Sequence, residues 1–297
     1  MSNIKKIQKT LRGRLRENVS LKDYNTWKVG GKAEYFYEPI DLEDLKLFLE
    51  LLDNTPIILL GNGSNVLIRD GGIEGCVICL KKTLNNYSFK DEEYIFEAGL
   101  SCMKMAQITA RENYAGLEFL CGIPGSLGGA LAMNAGAFGS ETWPFVTQVE
   151  MINRQGELKN RLPEEFEINY RWVSQFDNEW FAAAKFQFNT QTKNQNSNIK
   201  QLLRQRNASQ PIGLPSCGSV FKNPQGHHAA QLIEAAGLKG YYHGQACVSN
   251  KHANFIISNE QTSAKDIENL VAFIQDMVKQ KFNVTLETEM RILGDEL

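Results

Sequence analysis

Gly122-Ile123-Pro124-Gly125-Ser126-Leu127-Gly128-Gly129-Ala130-Leu131-Ala132-Met133-Asn134-Ala135-Gly136-Ala137-Phe138-Gly139 carries five glycines after Gly122, four alanines around Asn134 and no charge. A packed helix does not tolerate this much glycine, which costs about 1 kcal/mol per residue relative to Ala. A solvent-exposed loop has no need to be so small and uncharged. A backbone that must come very close to a ligand, presenting peptide N–H groups where side chains obstruct, fits both features. A glycine-rich structural turn is the alternative reading of the stretch taken alone.

A second uncharged loop, Gly61-Asn62-Gly63-Ser64-Asn65, comes after the apolar run Pro56–Leu60. It lacks the third glycine of a dinucleotide fingerprint, and strand-like Val66-Leu67-Ile68 stands next where that fingerprint needs a helix N-terminus. A nest of backbone amides with Asn and Ser side chains is the better reading. The two loops together point to one large phosphate-bearing ligand spanning both.

The rest of the chain sets the frame. Its 297 residues suit one large domain or two to three smaller ones, and 42% hydrophobic content is enough for sizeable cores. A net charge of -2 leaves no electrostatic footprint for nucleic acid. No apolar stretch approaches the ~20 residues that span a bilayer, and no hydrophobic signal region comes after the basic N-terminal residues. A cytoplasmic protein is expected. The six cysteines are scattered. Cys76 and Cys79 have redox or zinc spacing but sit in an apolar run with no second ligand pair, which reads as buried strand thiols.

Residues 4–17 read as a short basic helix, Asp41–Leu52 as a helix capped by Asp41, and Cys102–Asn113 as a third. Strands are expected at Glu34–Tyr37, Pro56–Leu60, Val66–Ile68, Val77–Leu80, Tyr94–Ala98, Gln148–Asn153, Phe166–Tyr170 and Phe181–Phe188. Polar Asn189–Asn198 reads as a hairpin tip or linker, and Ile199–Asn207 as a basic helix. Beyond Pro211 the reading is a helix at His228–Ala236 closed by Gly237, a strand at His252–Ser258, a long helix at Ser263–Phe282, and an alternating strand at Val284–Ile292. The fold class is α+β, divided into 1–85, 86–203 and a smaller C-terminal 204–297.

Two further clusters could carry chemistry. Pro215–Pro224 frames Ser219 with Gly218, Lys222 and Asn223; proton donor, anion contact and plain Ser/Asn turn stay open. Arg171, between Tyr170 and Trp172, either pairs with a carboxylate substrate or stacks at the surface. Glu289 reads as the polar face of the last strand.

Seven segments then occur in one order: Asn25–Ala33, Leu60–Leu67, Gly122–Glu141, Asn169–Arg171, Cys217–Pro224, Lys251–Phe255 and Leu286–Arg291. In this order they resemble the UDP-N-acetylenolpyruvoylglucosamine reductase (MurB) family, flavoenzymes of peptidoglycan precursor synthesis. Lys251–Phe255 resembles the bacterial subtype lacking a large extra substrate-domain loop. The resemblance implies two FAD-binding subdomains of the vanillyl-alcohol-oxidase (PCMH) type, 1–85 and 86–203, and a substrate domain, 204–297. It implies non-covalent FAD, NADPH as co-substrate, and the enolpyruvyl ether of UDP-N-acetylglucosamine as substrate. FAD would meet Gly61, Asn62, Gly63, Ser64 and Asn65 in one loop. In the other it would meet Gly122, Pro124, Gly125, Gly128, Gly129, Ala130, Asn134, Gly136 and Ala137.

The family's proton donor falls on Ser219, its arginine on Arg171, and its C-terminal glutamate on Glu289 rather than Glu287. Lys222 and Asn223 fall on contacts to the substrate diphosphate. No metal site is implied, and a monomer or weak oligomer is expected. Trp172-Val173 adds one residue before Ser174 relative to the family's Tyr-Arg-x-Ser pattern. Cys217 lies two residues from the proposed donor, so alkylation there is expected to block substrate. Two alternatives remain: another FAD oxidase of the same cofactor fold, and a non-enzymatic nucleotide-binding protein. All four histidines lie beyond residue 225, away from the flavin loops, which disfavours a histidyl flavin tether.

Overall fold

Period-two alternation builds the larger sheet. Tyr94 and Phe96 of the strand Glu93–Glu97 are buried together with Phe186 of Glu179–Gln187. Their rings meet, with centroids 5.2 Å apart for Tyr94–Phe96 and 5.6 Å for Phe96–Phe186. The sheet runs Leu158–Arg161, Val146–Asn153, Glu179–Gln187, Glu93–Glu97, Tyr87–Lys90, antiparallel throughout. The helix Cys102–Arg111 buries Cys102, Met105 and Ala106 in the same core, and Ser101 caps it by accepting from the Lys104 amide.

A computed structural model describes residues 7–90, 93–188 and 198–297 of the chain. These fall into two compact units. The first takes the chain up to Arg16, then Phe36–Asn62 and Cys76–Gln205; the second takes Glu17–Tyr35, Gly63–Gly75 and Arg206–Leu297. In the first, Ile57–Leu60 lies parallel to the end of Ile73–Cys79, pairing Ile57 with Cys76 and Leu60 with Cys79. The helix Leu42–Leu51 is capped by Asp41, as its sequence predicts. Buried Asp44 accepts from Tyr37 Oη at 2.6 Å and from the Arg12 and Ile40 amides.

In the second unit, the helix Ala264–Phe282 buries Ile267, Leu270, Val271, Ile274 and Val278 on one face. Ser263 and Asp266 form a capping box at its start, and Asn283 ends it in the left-handed region. The two residues after the short strand Val66–Ile68 tie that strand to the helix. Arg69 makes a two-pronged pair with Glu268, and Asp70 accepts from the Ala264 and Lys265 amides. Val66–Ile68 runs parallel to Arg291–Leu293. Trp27, fully buried, donates its indole N–H to the Ile256 carbonyl at 2.8 Å. Two short segments from the first quarter of the chain are therefore integral to the core that the C-terminal residues build.

Several local expectations give way to tertiary context. The basic helix expected over 4–17 gives way from Arg14 to a strand, Arg14–Ser20; residues 1–6 lie outside the described residues. Leu15 is buried while Arg16 pairs with Glu38 at 2.6 Å, a strand-type alternation that the cluster of basic residues masked. The polar segment 189–197 also lies outside the described residues. Phe166–Tyr170 contracts to Ile168–Asn169, and His252–Ser258 to Ile256–Ile257. Val284–Ile292 leaves only Arg291–Leu293 as strand. Along it Leu286 and Met290 are buried but Ile292 is exposed, so the expected alternation stops before the end of the segment. Side chains take the carbonyls a ladder would use: Gln275 donates to Leu286 and Asn65 to Glu289.

Candidate active site

The glycine-rich stretch contains a short helix after all, Leu127–Ala132. Its amides are turned to the protein: Leu127 donates to the Leu100 carbonyl at 2.9 Å and Gly128 to Ala98 at 2.8 Å. A Cβ at Gly128 would lie 3.2 Å from that of Ala98, so this glycine serves close packing. Gly129 differs. A Cβ there would meet nothing nearer than the Ser126 hydroxyl at 3.9 Å, so its bare backbone faces open space. A Cβ at Gly61 would overlap that same Ser126 hydroxyl, so Gly61 and the 122–139 stretch are brought together within the first unit. Uncharged residues, an accessible glycine backbone and the Ser126 hydroxyl against Gly61 fit a large phosphate-bearing cofactor.

Asn134 and Gly136 serve a different purpose: they hold Arg171. The strands Ile168–Asn169 and Trp172–Val173 pair in register, leaving Tyr170-Arg171 as a two-residue turn with Arg171 at φ +56. Arg171 Nη1 donates to the Asn134 carbonyl at 3.2 Å and Nη2 to the Gly136 carbonyl at 2.7 Å. Glu141 lies 3.8 Å from Nη1, and the guanidinium sits 4.9 Å from the Tyr170 ring centroid. Asn134, itself buried, donates to Glu141 Oε2 at 2.8 Å. Gly136–Ala137 and Ser140–Glu141 pair across Phe138-Gly139, both at positive φ, which turns the loop back onto the arginine.

The segments that carry Ser219 and Glu289 pair in the second unit. The Glu289 amide donates to the Val220 carbonyl at 2.8 Å, the Lys222 amide to Glu287 at 2.9 Å, and Phe221 bridges Thr288. Ser219 is half-buried, next to Gly218 at φ +84. On the other side, Asn254 makes two side-chain bonds to the Phe221 backbone, and its carbonyl accepts from the Val220 amide. Asn65, expected among the flavin contacts, donates to the Glu289 carbonyl at 3.1 Å, while its own carbonyl accepts from Arg291. Gly63, at φ +62, could not carry a Cβ without striking the Asn25 Cα, and its carbonyl accepts from Thr26.

Lys222 Nζ lies 3.6 Å from Glu287. Asn223 Oδ1 accepts from the Ala229 amide at 3.0 Å, at the start of the helix Ala229–Ala235. Buried Cys217 has its thiol pushed well above the ordinary value, first by burial and then by the Glu289 carboxylate. Cys76 and Cys79 are likewise buried. Asn254 and Glu141 were missed as site residues, although both lie inside segments that the sequence marked.

Residues 210–293 match the family of UDP-N-acetylenolpyruvoylglucosamine reductase C-terminal domains, and residues 33–160 match a family of FAD-binding domains. The chain is 48% identical over 287 residues to a UDP-N-acetylenolpyruvoylglucosamine reductase of Methylococcus capsulatus, covering 96% of this chain and 94% of that one. A reductase of the same description from Legionella pneumophila (strain Corby) is 47% identical, with 95% and 93% covered. The chain belongs to the UDP-N-acetylenolpyruvoylglucosamine reductase (MurB) family. The crystal structure of the family member from Thermus caldophilus superposes with a TM-score of 0.80 at 32% identity, over 95% of this chain and all of that one. The α+β fold with its FAD-binding domain is thus established, and with it an oxidoreductase that reduces the enolpyruvyl ether of UDP-N-acetylglucosamine in peptidoglycan synthesis. No helix among the described residues is long and apolar enough to cross a membrane.

Proposed function

We propose that this MurB-family chain works with NADPH as reductant and non-covalently held FAD, with Ser219, Arg171 and Glu289 as its catalytic residues. Residues 1–85 and 86–203 would hold the cofactor and 204–297 the substrate, as a cytoplasmic monomer or weak oligomer. When bound, FAD supplies hydride transfer from the nicotinamide to the vinyl CH2 carbon of the substrate.

The protein's share of the reaction is set by its residues. As hydride arrives, the double-bond electrons move onto the adjacent carbon and its carboxylate. Arg171, with a fixed guanidinium, suits the charge that grows on those oxygens. Glu289 is assigned to the enol oxygens by a hydrogen bond. The Ser219 hydroxyl gives its proton to the adjacent carbon, completing the lactyl ether, and the alkoxide regains a proton from solvent. A hydroxyl is a weak acid, but the enolate is a strong base and proximity makes the transfer feasible. Lys222 and Asn223 are assigned to the diphosphate. Gly61 to Asn65 and the 122–139 loop, with Gly129 the most accessible, are assigned to FAD.

The observation that carries this reading is the bond between the Glu289 amide and the Val220 carbonyl. It sets Glu289 beside the residue next to Ser219, although 70 positions separate Ser219 from Glu289 in the chain (289 − 219). The test is Ser219→Ala in purified holoenzyme. We expect bound flavin to be retained and substrate-dependent NADPH oxidation to fall by roughly 10²- to 10⁴-fold. Turnover within a few-fold of the parent would remove Ser219 from the role.

A further inference from the structure

The segment Lys251-His252-Ala253-Asn254-Phe255 marks a subtype by resemblance, yet the reaction as described assigns it nothing. The structure gives Asn254 an unusual bonding pattern. It is 4% exposed. Its Oδ1 accepts from the Phe221 amide at 2.9 Å, and its Nδ2 donates to the Phe221 carbonyl at 2.8 Å. Its own carbonyl accepts from the Val220 amide at 2.9 Å. A carboxamide that satisfies both the N–H and the C=O of one residue acts as a substitute strand.

The opposite edge of the same short segment is bonded to the residues around Glu289. The Val220 carbonyl accepts from Glu289, and Phe221 bridges Thr288. The backbone at 220–221 is therefore gripped from both sides, while Gly218, directly before Ser219, is at φ +84 with nothing within 4 Å of where its Cβ would be. Without a grip, a glycine at that place would let Ser219 swing. Asn254 is in turn fixed by its own turn. Its amide donates to His252 Nδ1 at 3.3 Å, Phe255 donates to the His252 carbonyl at 3.0 Å, and Ser249 Oγ accepts from the Lys251 and His252 amides.

From this geometry we infer that Asn254 is a positioning residue for proton delivery: by clamping Phe221 it fixes where the Ser219 hydroxyl points. This rests on Ser219 being the donor. Asp cannot replace Asn254, because a carboxylate would set an acceptor against the Phe221 carbonyl. A buried acceptor facing an acceptor leaves that carbonyl without its partner.

The experiment compares four holoenzymes: the parent, Ser219→Ala, Asn254→Asp and the double variant. Each is reduced with dithionite without oxygen and mixed with UDP-N-acetylenolpyruvoylglucosamine, and flavin reoxidation is timed. Substrate dissociation constants and flavin content are measured alongside. Asn254→Asp is expected to keep its flavin and bind substrate within about threefold, yet reoxidise roughly 10- to 100-fold more slowly, the loss expected of a misplaced proton donor. The double variant should match Ser219→Ala within about twofold, since both changes act through one hydroxyl.

Reoxidation of Asn254→Asp at the parent rate overturns the inference, as do losses that multiply in the double variant. If Asn254→Asp does not fold, Asn254→Ser takes its place, with the same split expected at smaller size. A parent-like Ser219→Ala instead overturns the donor assignment itself, a distinct result.

Discussion

Arg171 and Ser219 are held by opposite means. Ser219 sits at the end of a segment whose backbone is bonded on both sides, to Asn254 and to the Glu287–Glu289 segment. Arg171 sits at the tip of a two-residue turn, and it is the side chain that is gripped, by the carbonyls of Asn134 and Gly136. The difference comes from the lengths of the two side chains. A serine hydroxyl is one bond from Cβ, so fixing the backbone leaves only χ1 to set. An arginine has four rotatable bonds, and only contacts at the guanidinium restrict it; the planar fork lets two carbonyls do so at once. One region therefore needs a ladder, and the other needs an opening through which a guanidinium can reach a backbone.

That opening is made by Gly136, and filling it is the strongest way to break the comparison. A Cβ at Gly136 would lie 2.9 Å from Arg171 Nη1 and 3.0 Å from the Glu141 Cγ, and it would overlap the Ser140 carbonyl. Gly136→Ala should push the guanidinium out of place. A displacement of that kind costs on the order of 100-fold in kcat, read per bound flavin because Gly136 lies in the loop assigned to FAD. A kcat within threefold of the parent would show that Arg171 does not depend on this loop. The equivalent change beside Ser219, at Gly218, meets no atom within 4 Å, and its cost would instead be backbone strain at the φ of +84.

A second arginine sharpens the contrast. Arg161, nearly buried, has Glu179 and Glu165 each at 2.8 Å and lies 3.6 Å from the Phe176 ring centroid, whereas Arg171 has its carboxylate at 3.8 Å. The first is a structural pair, and its signature is pH-dependent stability. The Arg161 hydrogen bond holds the Glu179 carboxyl below its ordinary value of 4.5. A carboxylate with a lowered folded pKa stabilises the fold above its unfolded pKa, and that contribution fades as pH falls through the folded one. Glu179→Gln should therefore lower stability at neutral pH by roughly 1 kcal/mol, since Glu165 still pairs with Arg161. It should also flatten the acid limb of a urea-midpoint profile below about pH 4.5. A variant that keeps the parent's acid slope would mean another group sets it.

What the sequence made legible was what depends on near neighbours. The cap of Asp41 and the apolar face of Ser263–Phe282 rest on spacings of a few residues. Asn254 was not legible, because its partner Phe221 lies 33 positions away and a lone asparagine reads the same whether it caps, turns or clamps. That a Cβ at Gly128 would press on Ala98 was equally hidden, because the two lie 30 positions apart (128 − 98). Asn65 and Asn223 fall at motif positions, but the side chain of the first reaches the Glu289 carbonyl and that of the second the Ala229 amide. Composition names a polar loop; it does not say which polar atoms the protein itself already occupies.

The smallest expected effect concerns Cys217, two residues from Ser219 in the backbone-held region. Alkylation there would block substrate if it occurred. The side chain is 4% exposed, and burial pushes its thiol well above the ordinary value, with the Glu289 carboxylate adding to the shift. The reactive species is the thiolate, so both factors slow attack. Cys247, only partly buried, should label first even though burial raises its thiol as well. Treating holoenzyme with iodoacetamide near neutral pH should leave Cys217 unmodified by peptide mass, with activity unchanged over the time in which Cys247 is alkylated. Rapid labelling of Cys217 would mean that the segment around Ser219 opens on that timescale, and that the two-sided grip on Val220 and Phe221 is looser than its hydrogen bonds imply.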